Sequence, residues 1–427
     1  MTDGLSRLAL EAANRVDPER VIGLTRDLVR VRSVVDTEAG TTEAEAAALV
    51  AAILTDSGLQ PLVEEVAPDR PNIICDWSGT DFDPLRDRTL MFEGHTDVVT
   101  EGDSALWTRP PFAADLVEGR LYGRGSADMK GGVAAAITAL EAIRAVAPDL
   151  RGRIRLGFVV DEEGMMLGIK HFIARGWADE VDGAIVCEPE ENEICLFQKG
   201  AMRVGVRFAG VMSHGAMPYA GVNPITALAD FVGRTESFQR QEQERLGPHA
   251  QLGLPWFTPT VVRAPPGGEA QLNVMPALAD LSLDIRTIPG QVHADILEAL
   301  QGIAGEVERR SLGLSVSLDC FESRPWTETF ADDPLVRAVE RAYPAILGTA
   351  PRYGGVPGAT DGTFLSATAG VPVVTIGPGD RTIPHRCDEF VRTGELVEAA
   401  RLYAASAILY LGCGSAGCGP EDLDEST

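Results

Sequence analysis

The sequence is short of positive charge. Its 427 residues carry 37 lysines and arginines against 63 aspartates and glutamates, a formal net charge of −26. A surface of that sign repels phosphate backbones and anionic lipid headgroups, which argues against nucleic acid or a charged membrane as partner. It is compatible with divalent cations as ligands, although most of the acids belong to solvated surface. Long apolar runs are missing as well. No segment reaches the ~20 apolar residues that a membrane helix needs. The amino end, "MTDGLSRLALEAANRVDPER", has no apolar stretch of the signal-peptide kind. Cysteine is sparse: 7 residues, scattered and odd in number. That fits free thiols in a reducing compartment better than a disulfide framework, so a cytoplasmic location is expected. Cys413 and Cys418, in "GCGSAGCG", could pair or bind metal but read as incidental, and the tail "GPEDLDEST" reads as disordered.

What is present is a core. Hydrophobic residues make up 45% of the chain, enough for two or three domains at this length. Asp17-Pro18-Glu19 is a helix start, with a cap, a proline in the first turn and an acid near the positive end. "TTEAEAAALVAAILTDSGL" reads as a helix ending at Gly58. Strands and helices then alternate: "TLMFEGHTDVV", "MKGGVAAAITALEAIRAV", "RIRLGFVV", "GIKHFIARG", "GAIVCEP". Such alternation implies an α/β unit with a largely parallel sheet.

The texture changes near Lys199. "AMRVGVRFAGV" alternates apolar and polar residues, as a strand with one wet face does. The following segments predict the order βαββαβ, a compact α+β unit of ferredoxin-like type inserted at residues 200–322. The remainder, 1–199 and 323–427, forms one discontinuous catalytic domain on this reading.

Several polar residues share one position, just past a predicted buried strand or in the loop after it: His95, Asp128, Glu162, Glu163, Glu188 and His385. In open α/β sheets the carboxyl ends of strands line the ligand crevice, so these side chains can converge. Imidazoles and carboxylates together form a nitrogen/oxygen set for zinc, and manganese or cobalt fits it too. In "VDEEG" one of Glu162 and Glu163 could hold an ion while its neighbour takes a proton from water made acidic by that ion. Asp128, in "GRGSADMKGG", is the obvious bridge for two ions. Asp97, two residues after His95, could orient its imidazole if both lie on one side of a strand. Each residue alone has a plainer structural explanation; the joint pattern carries the weight.

"EGHTDVV", "LYGRGSADMKGG", "VDEEG", "CEPE" and "IPHRCDE" resemble the ordered motifs of the co-catalytic zinc metallopeptidase family of carboxypeptidase G, acetylornithine deacetylase, succinyl-diaminopimelate desuccinylase and aminoacylase. The resemblance spans nearly the whole chain. It implies that His95 and Glu188 hold one ion, Glu163 and His385 a second, and that Asp128 bridges them. It implies Glu162 as general base, Asp97 as partner of His95 and a cis peptide after Asp128. "SHGAMPYAGVNPI", "LNVMP" and "DIRT" are similar to the family's lid motifs. They imply that His214 stabilises an oxyanion, in its own or a neighbouring subunit, and that Asn273 and Arg286 contact substrate, the arginine through a carboxylate.

The expected activity is therefore metal-dependent hydrolysis of a C–N bond in a small carboxylate-bearing substrate, an N-acyl amino acid or short peptide. One or two divalent ions and a homodimer or higher homo-oligomer are implied. An alternative is an aryl aminohydrolase releasing ammonia from a carboxylated aromatic amine such as 5-nitroanthranilate, as an outlying member of the family does; the apolar residues around His214 are compatible with a flat ring. An alternative of another class is a non-catalytic binding protein on the same fold, which should have lost ligands or Glu162; this chain keeps them.

Overall fold

The computed structural model describes residues 2–36 and 39–412; Cys413, Cys418 and the tail lie outside the described residues. The chain forms two compact units. The first takes in the described residues up to Leu196, Glu328–Gly355 and those from Thr360 onward. The second is Phe197–Thr327 with Val356–Ala359.

In the first unit a mixed sheet runs in the order Leu62–Ala67, Arg70–Ser78, Arg153–Val159, Thr89–His95, Gly183–Val186, Val373–Thr375 and Ile194–Gln198. The four central strands, from Arg153–Val159 to Val373–Thr375, are parallel to one another, and Arg70–Ser78 joins them antiparallel. They are buried on both faces, which is why they read as continuous apolar runs. Their carboxyl ends therefore open at one edge. The helix Pro18–Arg30 starts as its sequence dictates: the Asp17 carboxylate accepts from the Glu19 N–H at 3.0 Å and Pro18 occupies the first turn. A further helix spans Thr2–Arg15. Its buried face includes Ala9, Ala12 and Ala13, which continue a helical spacing begun by Leu5 and Leu8.

The helix Gly131–Val146 is buried along most of its length, and its alanines allow neighbours to approach closely. Gly132 explains the paired glycines after Lys130. A Cβ there would stand 2.0 Å from the carbonyl oxygen of Cys187, the residue before Glu188.

The second unit has a four-stranded antiparallel sheet in the order Trp256–Arg263, Leu278–Thr287, Gly200–Ala209, Ser315–Arg324. With helices Pro224–Leu246 and His293–Arg309 this is the expected βαββαβ arrangement. Met202, Val204, Val206 and Phe208 alternate onto the face that packs Phe231, Ile296 and Leu300. A short ribbon, Ser213–His214 against Val274–Met275, is added to that plan. Among the described residues no helix is long and apolar enough to cross a membrane.

His293 sits at the amino end of its helix, with its ring nitrogens 2.8 Å from the Thr287 and Ser323 hydroxyls. Burial pushes its pKa down to about 4, against about 6.5 in an unfolded chain. Between those values the unfolded state binds more protons, so this group's contribution to stability is complete above about pH 6.5 and is lost toward pH 4. His293→Gln is expected to flatten the acid decline of the thermal midpoint in that window; an unchanged slope would contradict the assignment. Gly132→Ala is expected to cost about 3 kcal/mol through overpacking, read from urea unfolding, and an unchanged midpoint would refute the close contact.

Candidate metal centre

The polar residues of the first unit meet at the carboxyl ends of its parallel strands. His95 ends its strand and is fully buried. Its Nε2 lies 3.1 Å from Asp128 Oδ1 and 3.6 Å from Glu188 Oε1. The other oxygen of Asp128, Oδ2, lies 3.4 Å from His385 Nε2, which is 3.1 Å from Glu163 Oε1. Asp128 thus stands between two imidazoles, one oxygen toward each. His95, Asp128 and Glu163 each bring a ligand atom within 4.8 Å of the others, and so do His95, Glu162 and Glu188. His385 reaches the site from a loop, at φ 66°, with its side chain 55% exposed. The Asp128–Met129 peptide is cis.

Electrostatics set these groups against one another. Burial raises Glu162, Glu163 and Glu188 above the usual carboxylate range, and neighbouring acids add to the rise. Burial would raise Asp128 too, but hydrogen bonds from His385 and His95 hold it well below that range. Burial would lower His95, yet its hydrogen bonds to Asp128 and Asp97 raise it. His385 is pushed up to about 10 by hydrogen bonds to Asp128 and Glu163. Buried acids that repel one another, set beside two imidazoles, concentrate negative charge at one place. A divalent ion would supply the missing positive charge, and the oxygen and imidazole donors suit one. His95, Asp128, Glu163, Glu188 and His385 are the residues able to hold it.

The three acids of "VDEEG" divide in two directions. Asp161 turns away from the site: its Oδ1 is 2.6 Å from Arg70 Nη2, and its Oδ2 accepts from Met165 N–H at 2.9 Å. Arg70 is also bonded to Glu43 at 2.5 Å. Beside it, Asn72 accepts from Val160 N–H and donates to the Gly168 carbonyl. Arg70 and Asn72 were not singled out in the sequence; their partners are distant in the chain and no local pattern announces them.

Asp97 departs from its expected geometry. The strand ends at His95, so strand alternation does not place it. The nearest acceptor of His95 Nδ1 is the Asp97 backbone carbonyl at 3.0 Å, with the carboxylate at 3.5 Å. That carboxylate accepts from the N–H groups of Glu162 and Glu163, at 3.3 and 3.0 Å. It therefore ties the two glutamates to the His95 segment. Glu93 was also overlooked, though an acid inside a buried strand is a signal in itself. Burial pushes it up to about 8, with the charge of His95 opposing the rise.

The remaining predicted residues lie in the second unit. His214 is exposed on the short ribbon, opposite Val274. Its Nδ1 accepts from the Ala216 N–H at 3.0 Å, which leaves the proton on Nε2 as a donor. Asn273 is exposed beside it, and its carbonyl accepts from Gly215 N–H at 2.7 Å. Arg286 is engaged by Asp284 through two contacts, 2.6 and 3.1 Å.

Comparison with known proteins agrees with this geometry. Residues 91–408 match the sequence profile of "Peptidase family M20/M25/M40". The chain is 32% identical over 396 residues to succinyl-diaminopimelate desuccinylase 1 of Ruegeria sp., covering 90% of this chain and 96% of that protein. The fold is similar to an M20 family metallo-carboxypeptidase of Sulfolobus solfataricus, with TM-score 0.73 and 17% identity, covering 91% of this chain and 99% of the other. It is similar also to the Bacillus subtilis YxeP protein, described as a dinuclear metal binding peptidase, with TM-score 0.68 and 17% identity, covering 92% and 98%. The ordered site motifs, the fold and the profile match over most of the chain lead to one conclusion: this chain belongs to peptidase family M20/M25/M40.

Proposed function

We propose that this protein hydrolyses the amide bond of a small carboxylate-bearing substrate, an N-acyl amino acid or a short peptide, at the centre built around Asp128. The observation that supports this most is the Asp128 carboxylate with one oxygen toward His95 and the other toward His385. A bridging carboxylate with an imidazole on each side suits a pair of ions. On this reading His95 and Glu188 hold one, Glu163 and His385 the other. The family includes hydrolases of amide bonds, and the relatives reported above, a desuccinylase and peptidases, support a substrate of this kind.

Divalent ions held there would polarise the scissile carbonyl and make water acidic enough to react near neutral pH. Glu162 is the base. It is nine-tenths buried, and its backbone is anchored by Asp97. Burial raises its affinity for a proton, so it can take one from water and return it to the leaving nitrogen. His214, with its proton on Nε2, is on this reading the donor for the developing oxyanion, in its own or a neighbouring subunit. Arg286 and Asn273 recognise the substrate. The first unit is then the catalytic domain and the second the lid.

Glu162→Gln is expected to keep its full metal content while kcat falls about 10²–10⁴-fold, measured on a panel of N-succinyl amino acids, N-acetyl amino acids and dipeptides. Turnover close to the parent's would remove Glu162 from its role. Under graded chelation the ion at Glu163 and His385 is expected to leave first, because His385 is half exposed whereas His95 is fully buried. Stoichiometry measured by elemental analysis should pass through one ion per chain; simultaneous loss of both would contradict the assignment.

A further inference from the structure

Glu389 is fully buried, immediately before the strand Phe390–Arg392 and in the same segment as His385. Its Oε1 accepts from two consecutive backbone N–H groups, Ala127 at 3.0 Å and Asp128 at 3.2 Å. Its Oε2 is 2.5 Å from Arg124 Nη1. Its backbone carbonyl accepts from Gly123 N–H at 2.8 Å. One residue therefore grips the chain from Gly123 to Asp128 at four points. Arg124 is fixed in turn: its Nη2 donates to the Thr100 carbonyl at 3.3 Å, and its guanidinium lies 5.2 Å from the Trp107 ring centre.

The consequence is geometric. Asp128 and His385 stand on different segments with nothing in the local sequence to fix their separation. Glu389 belongs to the His385 segment and holds the Asp128 backbone directly. We propose that Glu389, seated on Arg124, is a positioning residue that sets the placement of the Asp128 carboxylate relative to His385 and so tunes ion affinity. This rests on the reading of Asp128 and His385 as ligands. Charge-assisted hydrogen bonds are roughly twice as strong as neutral ones, so a carboxylate holds this loop better than an amide can. A glutamine would also turn an NH2 group toward either Arg124 or the loop N–H groups, donor against donor, and one of the two grips would open.

The test is zinc titration by calorimetry on the chelator-stripped full-length chain. Glu389→Gln, Glu389→Asp, which keeps the charge but retracts it by one methylene, and Asp128→Asn are compared with the parent. Both Glu389 variants are expected to fold, by circular dichroism, and to weaken binding of at least one ion about 10–100-fold, as loss of a ligand's supporting partner does. Folded Glu389 variants with parental zinc affinity, alongside an Asp128→Asn that has lost an ion, would overturn the positioning role alone. Failure of both Glu389 variants to fold would assign the residue to the fold and overturn it equally. Parental affinity in Asp128→Asn would overturn the ligand reading beneath it, whatever the Glu389 variants do.

Discussion

Ionised carboxylates packed together in a dry pocket repel, and the rest of this structure is arranged around that repulsion. Glu162 and Glu188, buried, and Asp128 and Glu163, partly buried, converge where parallel strands end. Burial and mutual repulsion raise the proton affinity of Glu162 and Glu188, and hydrogen bonds to Asp128 and Glu163 raise that of His385. Asp128 alone stays firmly ionised, because both histidines bond to it. The chain thus tolerates an unfavourable concentration of acid at one place, and a stable fold does not need such a place. A site for cations does.

Holding repelling groups together requires backbone anchors, and these come from elsewhere. Asp97 ties the Glu162–Glu163 backbone to the His95 segment. Arg70 and Asn72, on the neighbouring strand, secure the turn that carries both glutamates. Asp161 gives that turn an internal cap, so the first acid of the triplet serves the backbone and the other two face the site. Rigidity of this kind matters because ion binding and proton transfer are sensitive to misplacement on the scale of an ångström.

This division explains what could be read from the sequence. Groups such as His95 and Glu188 at or just past strand ends, and Asp128 and His385 in connecting segments, must be of particular chemical types, so they stand out in a linear chain. The alternation of strands and helices was legible for the same reason: buried parallel strands leave apolar runs and helices leave a longer period. Arg70, Asn72 and Glu93 were not legible, because their partners are tertiary. Asp97 was found for an incomplete reason, its carboxylate serving two backbone amides that only folding brings near. The ribbon around His214 escaped because a two-residue strand carries almost no periodic signal, whereas Leu5, Leu8, Ala9, Ala12 and Ala13 do follow helical spacing in Thr2–Arg15.

The second unit adds a constraint on substrate recognition. Arg286 engages Asp284 through Nε and Nη2, so one edge of its guanidinium is already occupied and part of its charge is balanced. A substrate carboxylate would meet the remaining edge, or displace Asp284 at a cost in electrostatic energy. Lys199 feels the same arginine: burial first, and then the charge of Arg286, lower its pKa. Its Nζ donates to the Leu254 carbonyl at 2.8 Å. On the proposed reading, an anionic group would meet an arginine already engaged by Asp284. On the same reading the exposed side chains of Met217 and Tyr219, close to His214 in the sequence, would be available to the apolar part of such a substrate.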